Sequence, residues 1–309
     1  MVNIKKISVI LAVLAVLVIA VFVNQRESKK LPSVLISQTV NHPAIDATVR
    51  GILDSLAAEG FKEGQNITIR LESAQADPAL AAQIASNFMG KNPEVVVGVA
   101  TMASQAFLKY RPFKKTALVF STVTDPVGAG LVSDGITGVS NFVPLEPQLT
   151  LFKKILPNMT KLGILYNPGE ANSVSIVRKL EEICPRFGLT LVKQTVTKTG
   201  DAVQNATLLA QKADAVFVSN DNTVLSAIKA VISAAKKQKI PVFVSDTDAV
   251  ALGALAALGP NQYDIGRQTG SMIAKLLRGK KVSEIAIEYP VKTELFINRQ
   301  TAKELGIFL

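Results

Sequence analysis

Short, uninterrupted apolar runs separated by stretches of helical period constrain this chain more than any other feature. Val95-Val96-Val97, Ala117-Leu118-Val119-Phe120, Ala215-Val216-Phe217-Val218 and Pro241-Val242-Phe243-Val244 carry no polar residue at alternate positions. A strand with that pattern has to be covered on both faces, as happens in parallel sheets wrapped by helices. Further strands are predicted at 34–36, 66–71, 162–166, 189–192 and 251–258. The intervals supply the helices. Ile45, Val49, Ile52 and Leu56 recur at steps of three or four ahead of Gly60. Asp77-Pro78 reads as an N-cap followed by a first-turn proline. Helical patterns also begin near Thr101 and cover 170–187, 202–212, 223–237 and 263–277. Two successive βα series predict an α/β chain of two doubly wound parallel-sheet lobes joined by a hinge.

The 309 residues suffice for two domains, and at 48% apolar there is material for two cores. One segment stands outside the rhythm. Residues 7–23 are an apolar run behind Lys5 and Lys6, the layout of an export signal or a single N-terminal apolar helix. No convincing small-x-small cleavage site follows at Val21-Phe22-Val23-Asn24, and no cysteine is near for lipidation, so the run reads as an export signal, with retention as an uncleaved anchor left open beside removal. The expected division is 1–30 as signal or anchor, 31–142 with about 260–290 as one lobe, and 143–259 with about 291–309 as the other. Beyond the leader, 29 basic residues face 23 acidic ones without a block of like charge, which gives no footprint for nucleic acid. Cys184 is the only cysteine, so no intrachain disulfide forms, and its helical stripe predicts a buried thiol.

In doubly wound sheets ligands sit outside the carboxyl ends of the strands. The segments just past the strands are rich in hydroxyls, amides and carboxylates, and they also carry a family likeness. His42-Pro43-Ala44-Ile45-Asp46-Ala47, Gly60-Phe61-x-x-Gly64-Gln65-Asn66 and Ala100-Thr101 belong to it, as does 121–130 (STVTDPVGAG) and Thr137-Gly138-Val139-Ser140. So do 165–173 (LYNPGEANS), Asp221-Asn222-Thr223 and Gly266-Arg267-Gln268-Thr269-Gly270. In this order the chain resembles the ABC transporter substrate-binding family of tryptophan/tyrosine receptors. The resemblance implies a type I periplasmic-binding fold, a small amino acid-like ligand, a membrane permease with its ATPase as partner, and a place on the outer side of the cytoplasmic membrane. It departs at the N-terminus, where many relatives carry a cleaved or lipidated signal.

A receptor of that kind must hold a carboxylate and an ammonium. Thr101, Ser121 and Thr122, placed after strands and at helix starts, are the carboxylate candidates, with N-capping as the competing role. Asp125, Asp221 and Asp246 each follow a strand and are the ammonium candidates, with turn and capping roles competing at the first two. Asn167, Asn172, Ser173 and Asn222 would add donors from the second lobe, and Gly169 fits a turn. His42, the only histidine, is expected at the cleft rim. There is no Trp, so an aromatic ligand would meet Phe, Tyr or peptide planes.

One histidine and one cysteine exclude Cys–His pairs and multi-histidine metal sites, and HExxH, CxxC and P-loop patterns are absent. Ser226-x-x-Lys229 and Ser233-x-x-Lys236 fall within a helical stretch and read as coincidence. A monomeric binding protein without catalytic residues, metal or cofactor is the expectation. The alternative is a ligand-sensing receptor that acts through a separate signalling partner.

Overall fold

The computed structural model describes residues 31–309, and the apolar run 7–23 lies outside them. In the first lobe β1 (Ser33–Gln38), β2 (Thr68–Ser73), β3 (Val95–Val99), β4 (Ala117–Val123) and β5 (Ile136–Ser140) form a sheet in the order β2-β1-β3-β4-β5. Every pair in it is parallel. In the second lobe β6 (Lys161–Tyr166), β7 (Thr190–Thr195), β8 (Ala215–Val218), β9 (Val242–Val244), β10 (Ala256–Gly259) and β11 (Glu294–Ile297) take the order β11-β10-β9-β8-β6-β7. Here β11 alone is antiparallel, on the edge beside β10.

Ten helices accompany the strands among the described residues: α1 (Pro43–Ala58), α2 (Pro78–Met89), α3 (Thr101–Gln105), α4 (Leu145–Ile155) and α5 (Ala171–Ile183), then α6 (Ala202–Ala210), α7 (Asn222–Leu225), α8 (Ile228–Lys237), α9 (Gln262–Leu277) and α10 (Arg299–Leu305). The period of two along each strand divides the first core between the sheet's faces. Val34, Ile36 and Val97 meet Ile52, Leu56 and Ile273 on one side, while Leu35, Val96 and Leu118 meet Ile84 and Phe88 on the other. In the second lobe Ile164, Phe217 and Phe243 join Phe152 and Leu180, with Phe152 stacked on Phe243 at 4.1 Å. Val216, Val218 and Val244 meet Leu209 and Val231 on the opposite face. Each such Phe, Leu or Ile contributes about 1.5–3 kcal/mol by leaving water.

Helix α9 lies against α1 in the first lobe, although it follows β6 to β10 of the second sheet and precedes only β11. Glycines make the close approach possible: a Cβ on Gly51, Gly266 or Gly270 would collide with backbone of the facing helix.

Several boundaries differ from the sequence expectation. Residues 251–258 do not form one strand. A 3-10 turn at Thr247–Val250 and a bend at Gly253 (φ 110°) precede the short β10. Small residues such as Ala251, Ala254 and Ala257 are equally at home in a tight turn and a buried strand. The helix expected over 223–237 is broken at Ala227 into α7 and α8. β5 and α4 were not anticipated, because Gly138 and the Pro144–Pro147 region mask their periods. Cys184 is buried at the end of α5, and its apolar surroundings push the thiol up to about 11.

Candidate functional site

The carboxyl ends of β1, β3, β4 and β5 present four groups towards the second lobe. His42 caps α1, accepting from Ile45 N–H at Nδ1 (3.5 Å). Thr101 opens α3 after Ala100, which takes φ 67°. At the end of β4 a register shift between Ser121 and Val123 separates two neighbouring hydroxyls. Ser121 turns back to Thr269 of α9, with the oxygens 2.8 Å apart. Thr122, at φ 55°, instead faces Gln262 Oε1 (3.2 Å) and Asn141 Nδ2 (3.0 Å).

Two aspartates follow β8 and β9 of the second sheet, and their surroundings differ. Asp221 accepts from Asn167 N–H (2.6 Å), Ser173 O–H (2.5 Å) and Val224 N–H (2.8 Å). Beside it Glu170 takes Asn222 N–H (3.0 Å), Asn222 Nδ2 (2.7 Å), Thr223 N–H (2.9 Å) and Thr223 O–H (2.7 Å). Burial, followed by the negative charge of Glu170, pushes the Asp221 carboxyl well above the carboxylate range. Asp246 is 5% exposed and makes one long bond, from Asp248 N–H at 3.3 Å. No ion pair reaches it among the described residues. Burial, with a smaller push from Asp248, raises its carboxyl to about 7.

His42, Thr101, Thr122, Asn172, Asn222 and Asp246 line one cavity, together with Asn141, Asn220 and Gln262 and the apolar Ala44, Ile45, Ala100 and Leu225. Its open space is about 20 Å³, room for a single water. Contacts between the lobes surround it. His42 Nε2 lies 3.3 Å from Asn222 Oδ1, and Asn220 Nδ2 donates to Thr124 Oγ1 and to the Asn141 carbonyl, both at 3.2 Å. Ser175 O–H donates to Asp125 (2.9 Å). A hollow of about 330 Å³ shares Thr101 and Asn172 with the cavity and leads outward past Gly128-Ala129 and Pro168-Gly169. A larger hollow of about 420 Å³ between α1, α9 and Pro290–Lys292 touches none of the groups that converge on the cavity.

The other candidates sit elsewhere. Ser121, Asn167, Ser173 and Asp221 stand behind the cavity wall and hold it in shape through the bonds above. Asp125 lies at the seam, where it also accepts from Gly128 N–H (2.8 Å) in a turn. Gly169 donates to Asn167 Oδ1 (2.8 Å), which is turn geometry. The sequence expectation of His42 at a rim needs correction: the ring is 5% exposed, because capping α1 and facing Asn222 draw it inward. Asn141 and Asn220 were missed, although both follow strands and the rule that found Asp246 also points to them. Gln262 follows β10 in the same way. Glu170 was read as the end of a loop and the start of a helix, and no local pattern announces the donors from Asn172, Asn222 and Thr223 that it gathers.

The family model described as "ABC transporter substrate binding protein" matches residues 33–309. A tyrosine-binding protein of Clostridioides difficile (strain R20291) is 31% identical over 290 residues, 92% of this chain and 84% of that one. The crystal structure of an ABC domain in complex with L-Trp from Streptococcus pneumonia is 32% identical at a TM-score of 0.84, covering 90% of this chain and 96% of that chain. The ligand-free, open structure of a substrate binding protein with adhesive properties from Clostridium difficile is 33% identical over the same shares, at a TM-score of 0.67. At nearly equal identity and coverage, this chain is more similar in structure to the L-Trp complex than to that ligand-free, open structure.

Proposed function

Because the chain belongs to the ABC transporter substrate-binding protein family, we propose that it captures an aromatic amino acid between its two lobes and presents it to a membrane permease driven by an ATPase. The observation that carries this reading is Asp246, a buried carboxylate without a cation, in a wall whose other polar members are neutral. An ammonium placed there converts an unfavourable buried charge into a charge-assisted hydrogen bond, each worth about 1.5–3 kcal/mol. The ligand carboxylate then falls to Thr101, Thr122, Asn141 and Gln262, whose hydroxyl and amide hydrogens are the donors on the facing wall. Ala44, Ile45, Ala100 and Leu225 enclose the side chain.

With room for one water, the cavity admits no amino acid until the lobes part. Parting breaks the His42–Asn222, Asn220–Thr124 and Ser175–Asp125 contacts, and a ligand that touches both walls compensates for them on closure. The moving bodies are 31–142 with 260–290 and 143–259 with 291–309, and the connections cross near Asn141–Pro144, Gly259–Pro260 and Tyr289–Lys292. Residues 7–23 hold a monomer at the outer face of the cytoplasmic membrane. The reaction is binding and release, without a catalytic group or cofactor.

Titration calorimetry with L-tryptophan, L-tyrosine, L-phenylalanine, small amino acids, sugars and nucleosides tests the reading. Binding of an aromatic amino acid with a 1:1 ratio is expected. Tight binding of a sugar or nucleoside with no amino acid bound would overturn it.

A further inference from the structure

The cavity has two different ends. Along the first sheet the order β1-β3-β4-β5 puts His42 three strand intervals from Asn141, roughly 14 Å at the usual spacing of about 4.8 Å. Around Asn141 gather the hydroxyl and amide groups of Thr122 and Gln262. At the other end the wall turns apolar: Ala44 and Ile45 follow His42 into α1, and Leu225 lies one turn beyond Asn222 on α7. In that apolar end His42 and Asn222 form the polar pair.

Both side chains are fixed in orientation. Ile45 N–H donates to His42 Nδ1, which makes Nδ1 the acceptor and leaves the hydrogen on Nε2. Desolvation lowers the imidazole pKa and keeps the ring neutral. Asn222 Nδ2 donates to Glu170 Oε2 at 2.7 Å, so Oδ1 is the atom turned to His42. A donor on one lobe therefore faces an acceptor on the other, at 3.3 Å, longer than the usual 2.9–3.0 Å. Because the two atoms ride on different lobes, the gap between them is set by how far the lobes close.

We propose that His42 and Asn222 determine specificity by clasping a hydroxyl at the tip of the ligand side chain. The hydroxyl donates to Asn222 Oδ1 and its oxygen accepts from His42 Nε2–H, so two bonds replace one long one. This rests on the amino-acid reading above and narrows it to a phenol-bearing ligand, tyrosine over phenylalanine. A zwitterion whose carboxylate lies at the Thr122–Asn141 end, roughly 14 Å from His42 by the strand spacing, reaches the pair only through a long side chain. A bare phenyl ring wedged between the pair would part them and leave a buried donor and acceptor unmet. Sites built to bond a substrate hydroxyl reject the analogue lacking it by as much as roughly 10⁴-fold.

The test is calorimetry on the full-length protein with L-tyrosine, L-phenylalanine and L-tryptophan, wild type beside His42→Asn. Asparagine still supplies an N-cap oxygen but is too short to offer the cavity a donor, and melting curves confirm that the variant folds. Wild type is expected to bind tyrosine about 100-fold or more tighter than phenylalanine, and His42→Asn to reduce that ratio below about tenfold, chiefly by weakening tyrosine. Equal wild-type affinities for the two overturn the clasp without any variant. So does a His42→Asn protein that weakens both ligands alike with the ratio intact. Tryptophan binding with neither tyrosine nor phenylalanine bound overturns the clasp and leaves the amino-acid reading standing. Binding of none of the three removes that reading as well.

Discussion

Asp221 and Asp246 follow neighbouring strands, are both buried, and are both pushed upward by burial, yet they have opposite surroundings. Three donors within 2.8 Å occupy Asp221, and Glu170 knots the same loop from the other side. Asp246 receives one bond at 3.3 Å and faces the cavity. The contrast separates a carboxylate that shapes a wall from one that awaits a partner. Burial and a raised pKa alone would have ranked the two together, and the count of committed donors tells them apart.

Four measurements can break or sharpen that contrast. The largest effect is expected from Asp221→Ala, which strands the Asn167 and Val224 N–H groups. A loss of about 3 kcal/mol or more in denaturant unfolding should follow, and an unchanged midpoint would refute the wall-shaping role. Asp246→Asn comes next. It should weaken amino-acid binding about 100-fold, or about 2.7 kcal/mol, while raising the ligand-free melting temperature at pH 8. The sign follows from linkage: a carboxyl raised above its ordinary value favours the folded state when protonated, and that contribution disappears as pH climbs through about 7. Asparagine never ionises and escapes the loss. A variant that binds normally would make Asp246 a second structural acid.

The pH dependence of wild-type binding sharpens the point. An ammonium requires the ionised form of Asp246, so affinity should fall about tenfold per pH unit below 7, with proton release seen as a buffer-dependent calorimetric heat. A flat profile between pH 5.5 and 7 would mean that no charge change accompanies binding. The smallest effect belongs to Ser175→Ala. It removes one partly buried bond between the lobes, to Asp125, and should alter affinity by about tenfold or less.

The fold was legible because β3, β4, β8 and β9, all inside their sheets, carry uninterrupted apolar runs and appear where their sequences place them. Edge strands were harder to bound: β2 and β7 carry exposed polar residues, and their ends shifted by one to three positions. The post-strand rule brought Thr101, Thr122, Asn172, Asn222 and Asp246 to one place. It could not separate Thr122 from Ser121, because a local register shift, invisible in side-chain chemistry, points adjacent hydroxyls in opposite directions. The same rule points to Gln262 after β10, but its place on the first lobe's wall depends on a helix returning from the second sheet to the first.

That returning helix has a consequence for the order in which the molecule is made. The first sheet is complete at residue 140, but the layer that seats on Gly51 through Gly266 and Gly270 is translated more than a hundred residues later. Until then the apolar flank of Ile52, which α9 covers in the finished protein, lacks that cover. The amino-terminal half is thus the first to be synthesised and among the last to be finished, so a truncation before α9 should yield a chain that chaperones retain.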